Sequence, residues 1–218
     1  MADEISRASV SLVRWKKVCA GLGTKEDPSA IYDELVSAYS EPHRAYHTLA
    51  HLESCLREFD SARRFAADPN EIEAALWFHD AIYDTHRSDN EEHAALWAST
   101  ALSRIGISTP HAKRVEQLVL ATRHHEVMDD ADAAMLLDID LSILGKPQDQ
   151  FDLYEGQVRR EYAWVSADDF RHARGVILDK LLERPRIYQT DFFHARYEAQ
   201  ARDNLARSLV KLRGEGTG

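Results

Sequence analysis

Apolar side chains recur along most of this chain at spacings of three and four residues, the period of a helix that buries one face. Val10, Val13, Val18 and Leu22 open the pattern, and the glycines at 21 and 23 stop it. Ile31, Leu35 and Ala38 follow Asp27-Pro28, which reads as an N-cap with proline at the first helical position. Leu49, Leu52, Leu56 and Phe59 mark a helix over 49–65. Asp68-Pro69 then restarts the pattern for Ile72, Ala75, Leu76 and Phe78. Six further helices are predicted over 89–105, 110–126, 131–144, 147–165, 167–183 and 191–213. With nine glycines, six prolines and no Asn-Gly or Asp-Gly pair, there is little material for hairpins. The expectation is one all-α domain over 1–213, a bundle of about eight to ten helices, followed by a frayed tail at 214–218.

Charge and composition narrow the function classes. A formal charge of −10 argues against broad nucleic-acid binding and against an anionic membrane surface. The first residues lack a basic stretch leading into an apolar one, so no secretory signal is read, and no run is long and apolar enough for a membrane span. Two cysteines, Cys19 and Cys55, cannot make a disulfide framework and read as reduced, half-buried thiols. A cytoplasmic setting is expected.

Eleven histidines among 218 residues make isolated pairs uninformative, and one His-Asp dipeptide is what chance supplies. Their settings say more. His79-Asp80 ends the apolar run Ala74-Ala75-Leu76-Trp77-Phe78, which puts two polar side chains at the inner end of a buried helix, where they need partners. His47 and His51, four residues apart, are placed on one face of another helix. Asp138 and Asp140 sit in the apolar stretch Met135 to Gly145, about 200° apart on an ideal helix, so that only one faces a given point. Imidazole nitrogens and carboxylate oxygens from three segments are the donor set of a divalent transition-metal centre.

These segments carry a resemblance. Tyr46-His47-Thr48-Leu49-Ala50-His51, Trp77-Phe78-His79-Asp80 and Asp140-Leu141-Ser142 resemble the HD-domain metal-dependent phosphohydrolases, and the tyrosine-led histidine pair is similar to the cyclic-nucleotide phosphodiesterase version. Taken with Asp89-Asn90-Glu91, Arg160-Glu161-Tyr162 and Ala201-Arg202-Asp203-Asn204-Leu205, the chain from about Tyr39 to Leu209 looks like a group of small bacterial predicted HD phosphohydrolases. The resemblance implies an HD-type helical domain with His51, His79, Asp80 and Asp140 as metal ligands. Asp138 competes with Asp140 for the last place. It also implies that His47 protonates a leaving oxygen, and that His124 or His125 reaches a second metal if the centre is binuclear.

The ion would be Mn, Fe, Zn, Co or Ni, activating water for attack on phosphorus. Asp84, four residues after Asp80 and assigned to the same helical face, is the candidate to orient that water or take its proton. Arg44 is the candidate for a bidentate grip on phosphate, with Arg123 and Lys146 behind it. The expected partner is a small phosphorylated substrate, with nucleotides the first class to consider, and a homodimer is left open. Two other readings remain: a non-enzymatic module whose pocket senses a nucleotide, and a di-iron oxygenase, since the fold the resemblance implies also hosts that chemistry. Arg159, Arg160, Arg202 and Arg207 read as helix-face charges, and Trp15, Trp77, Trp97 and Trp164 as core or helix-contact residues.

Overall fold

The computed structural model describes residues 10–123 and 126–214. Among these residues the chain is all-helical, with ten α-helices and no strand. They are α1 (Leu12–Gly21), α2 (Ser29–Ala38), α3 (Leu49–Ala62), α4 (Pro69–Phe78), α5 (Asn90–Arg104), α6 (Thr109–Ala121), α7 (Ala131–Asp140), α8 (Gln148–Glu161), α9 (Ala167–Glu183) and α10 (Asp191–Arg213). Short 3-10 turns continue α3 through Arg63–Phe65 and α7 through Leu141–Gly145. Each helix lies on a stretch marked by the apolar spacing. The ends differ: the helix predicted to 126 stops at Ala121, where the Thr122 hydroxyl donates to the Val119 carbonyl (2.7 Å), and the one predicted to 144 tightens after Asp140.

Contacts group the chain into two compact units, one up to Ile139 and one from Asp140 onward, where the sequence reads as one domain. Of the tail expected to fray, 214–218, only Gly214 lies within the described residues. It closes α10 in the left-handed conformation (φ 74°) that favours glycine. No helix among the described residues is long and apolar enough to cross a membrane.

In the first unit α4 is central, packing against α1, α3, α5 and α6. Every residue from Ile72 to Phe78 is buried, as expected of a helix apolar nearly all round. Asp68 starts it, its carboxylate accepting the N–H groups of Asn70 (2.9 Å) and Glu71 (3.2 Å), with Pro69 at the first position. Trp77 packs on Trp15 (ring centroids 5.4 Å) and Tyr32 (5.9 Å), and Phe78 on Trp97 (5.6 Å). Glu73, buried within α4, pairs with Arg14 of α1 (2.6 Å) and with Arg63, so the one acid in this run has cations on both oxygens. α3 buries His51, Leu52, Cys55, Leu56, Phe59 and Ala62, a single stripe with helical spacing.

In the second unit α8 and α10 pack on the 3-10 turn 141–145, and α9 packs on α10. Gly145 makes the close approach possible: a Cβ there would lie 2.5 Å from Tyr197 Cβ and 2.8 Å from its carbonyl oxygen. Asn204 of α10 donates to the carbonyls of Leu144 and Lys146 (both 2.8 Å) and Tyr188 to that of Leu141 (3.0 Å), satisfying the orphan acceptors of this turn. Arg202 is not the helix-face charge the sequence suggests. Its guanidinium caps the C-terminus of α9, donating to the carbonyls of Leu182 (3.0 Å) and Arg184 (2.7 Å). Trp164 is 55% exposed, unlike the other three tryptophans, and is not a core residue.

Candidate metal centre

Two turns of the first unit build the site, residues 43–48 before α3 and 79–84 after α4, and Arg44 laces them together. Its Nε donates to Glu41 (3.0 Å), one Nη to the carbonyls of His47 (3.0 Å) and Asp80 (2.6 Å), and the other to Ala81 O (3.1 Å) and Glu41 (2.9 Å). All five guanidinium donors are engaged within the protein. Arg44 therefore does not grip substrate phosphate, as the sequence suggests; it sets the path of both turns. His43 meets the Tyr83 carbonyl (2.8 Å), and the His47 ring stacks on Tyr83 (4.1 Å between centroids, 27°).

Where α4 stops, His79 caps it and turns its ring inward, 2% exposed. Its Nδ1 lies 2.8 Å from the Leu76 carbonyl, which can only accept, so Nδ1 carries the proton and Nε2 presents a lone pair. That lone pair faces His51 Nε2 (3.1 Å) and Asp80 Oδ2 (3.1 Å), and Asp80 Oδ2 is 3.2 Å from His51 Nε2. Three lone-pair atoms thus form a nearly equilateral triangle, with both histidines buried and Asp80 partly exposed. A proton on His51 can serve only one of its two neighbours, so the group as a whole calls for a cation. An ion held at about 2.0–2.1 Å separates neighbouring nitrogen or oxygen ligands by about 2.9 Å in octahedral and about 3.3 Å in tetrahedral geometry, and the triangle's edges lie between these limits. The donor set and spacing fit a divalent transition metal. Burial works against a charged Asp80, but in the ion-free chain protonated His79 and His47 and hydrogen bonds donated by protonated His51 and His79 rings hold its carboxyl well below the usual range. Behind the triangle, Asp80 N–H donates to the hydroxyl of Tyr39 (3.2 Å), a fully buried side chain whose own pKa burial pushes up to about 12.

Within the first unit, ligand atoms of His51, Cys55 and His79 lie within 4.8 Å of one another. Asp140 ends α7 and opens the second unit, whereas Asp138, fully buried, belongs to the first. Cys55 has no counterpart among the ligands expected from the sequence. The signal was present, because Cys55 follows His51 by four residues on the buried stripe of α3. Burial would raise its thiol, yet the charges and hydrogen bonds of His51 and His79 bring it below the ordinary value, whereas burial pushes Cys19, also free, up to about 12.

The remaining candidates separate. His47 is not on α3, which begins at Leu49 with Thr48 as its cap, so the shared helix face is incorrect; the preceding turn nonetheless brings its ring 5.7 Å from that of His51. Asp84 does not continue the face of Asp80 either, because α4 ends at Phe78. It is half-exposed in a turn, its carboxylate accepting from His86 N (2.9 Å) and facing His86 Nδ1 (3.1 Å), which lower its pKa and weaken it as a base. Arg123 pairs with Glu92, and Lys146, in the second unit, donates to the Tyr197 hydroxyl (2.9 Å). The two histidines considered for a second metal, His124 and His125, lie outside the described residues. A second grouping, Asp68, Glu71 and His111, is taken up by helix capping and by the His111–Glu71 pair (2.7 Å).

The chain matches no protein-family model, no curated protein and no solved structure. The chemistry of the site is therefore read from its own residues.

Proposed function

We propose that the chain is a metal-dependent phosphohydrolase that cleaves a small phosphoester, with a nucleotide as the first substrate class to try. One observation carries the reading: the hydrogen bond from His79 Nδ1 to Leu76 O aims a lone pair at two other donors, the buried His51 Nε2 and the partly exposed Asp80 Oδ2. His51, His79 and Asp80 would hold the ion, and Asp140, at the end of α7, is the fourth ligand the resemblance implies. When bound, such an ion supplies Lewis acidity, lowering the pKa of water and offsetting charge that builds on phosphoryl oxygens. His47, beside the ligands and steadied by its stack on Tyr83, would donate its ring proton to the departing alkoxide. Arg44 would act on neither substrate nor water; it fixes the backbone of His47 and Asp80. The resemblance of the His47–His51, His79-Asp80 and Asp140-Leu141-Ser142 segments to HD-domain enzymes supports the assignment. The two free thiols suit a reducing cytoplasm.

The test is metal-stimulated phosphate release across a panel of mono- and diesters, with His79→Ala and Asp80→Ala purified in parallel. The proposal expects both variants to lose turnover by at least ~10³-fold. Full turnover in either one, after removal of contaminating phosphatase, would overturn it.

A further inference from the structure

We propose that Asn90 is a positioning residue of the site: from the start of α5 it fixes the peptide between Tyr83 and Asp84 and so holds the Tyr83 ring against His47. This deepens the phosphohydrolase reading, in which His47 protonates the leaving oxygen, and rests on it. Residues 79–89 join α4 to α5 without a helix of their own, so the place of Tyr83 depends on what ties this segment down. Arg44 ties its first part, at the carbonyls of Asp80 and Ala81. Further along, two side chains take hold of one peptide group. His43 Nε2 stands 2.8 Å from the Tyr83 carbonyl, which can only accept, and Asn90 Oδ1 accepts the Asp84 N–H (3.1 Å). Asn90 Nδ2 also donates to the Asp84 carbonyl (2.9 Å), so the amide exchanges both hydrogen bonds with Asp84 as a paired strand residue would.

Asparagine near a helix start ordinarily caps it. Asn90, the first residue of α5, instead gives both amide groups to Asp84. Its anchor is firm, because α5 packs on α4 and α6. A peptide held at both its N–H and its C=O cannot swing, and the direction in which Tyr83 projects its ring is fixed with it. That ring lies face to face with His47, 4.1 Å between centroids and 27° between planes. A general acid works only within hydrogen-bond reach of the leaving oxygen, and a misplacement of about 1 Å can cost on the order of 100-fold.

The experiment compares the wild type, Asn90→Ala, His47→Ala and the double variant by two readouts. One is the set of His47 ring proton resonances, assigned by their loss in His47→Ala, which the stacked Tyr83 ring displaces upfield. The other is metal-stimulated hydrolysis of an alkyl phosphoester and of its p-nitrophenyl counterpart, whose leaving group departs without a proton. We expect Asn90→Ala to move the His47 resonances downfield and to lower kcat on the alkyl ester by about 30- to 100-fold. KM, metal affinity and turnover of the p-nitrophenyl ester should stay within about threefold. The double variant should be no slower than His47→Ala, since Asn90 acts only through that ring. Asn90→Asp keeps the acceptor and loses the donor; it should fall between wild type and Asn90→Ala, and it serves if the latter does not fold. Unmoved resonances, full kcat on the alkyl ester, or an equal loss on both esters with weakened metal binding overturns the inference and leaves the phosphohydrolase reading standing. A wild type without metal-stimulated phosphate release overturns that reading, and the ring resonances still decide whether Asn90 holds the stack.

Discussion

Arg44 shows how far a residue's chemistry can depart from its neighbourhood in the chain. It stands three residues before His47, which recommends it for phosphate, yet every one of its donors is engaged by carbonyls and Glu41. Nothing in a one-dimensional reading tells which carbonyls a guanidinium will meet. Arg44→Lys keeps the charge and loses the fork, so we expect a destabilisation of about 2–4 kcal/mol and a 10- to 100-fold loss in metal affinity. Denaturant unfolding and a metal titration measure the two. A variant of native stability and native metal affinity, with only KM for the phosphoester raised, would return Arg44 to the role of phosphate binder. His79 and Asp80 were legible because a polar pair at the end of an apolar run has to be compensated. Cys55 was less so, since a thiol is apolar enough to pass for core.

At the scale of the elements, helix starts were more legible than helix ends. Asp-Pro pairs announce a start through local hydrogen bonds, so we expect Asp68→Ala, which frees the N–H groups of Asn70 and Glu71, to cost about 1 kcal/mol in urea unfolding. A loss under about 0.3 kcal/mol would mean that packing alone starts α4. Ends depend on what lies beside them, which is why Asp84 was carried onto a helix that stops six residues earlier. In the second unit, Gly145→Ala drives a Cβ into Tyr197 and should destabilise by about 1–3 kcal/mol. Glu198 of α10 gives a pH signature. Burial opposes its charge, but the N–H groups of Ile187 (3.0 Å) and Tyr188 (3.2 Å), together with Arg202, hold its carboxyl below the usual value. A depressed folded-state pKa stabilises fully above the unfolded value of 4.5 and is lost as pH falls through the folded one. The stability gap between wild type and Glu198→Gln should therefore be widest near neutrality and close in acid. A gap that widens in acid would refute the assignment.

For the molecule as a whole, an ion that binds the folded chain alone must raise its stability by mass action. Zinc at about 100 times its dissociation constant should add about 2.7 kcal/mol, a chelator should remove that gain, and His79→Ala should show neither effect. Thermal or urea unfolding with and without metal reads this directly, and a wild type indifferent to both additions would contradict a structural cation site. The all-α class and the positions of ten helices follow from the sequence alone, because apolar period, Asp-Pro caps and scarcity of glycine act over a few residues. So does the presence of imidazole and carboxylate at buried helix ends. The tertiary structure alone decided which lone pairs converge, that Arg44 binds backbone, and that the Cys55 sulfur lies against the His51 ring. These depend on distances between segments far apart in the chain, and the packing of α3 and α4 sets those distances where no local rule does.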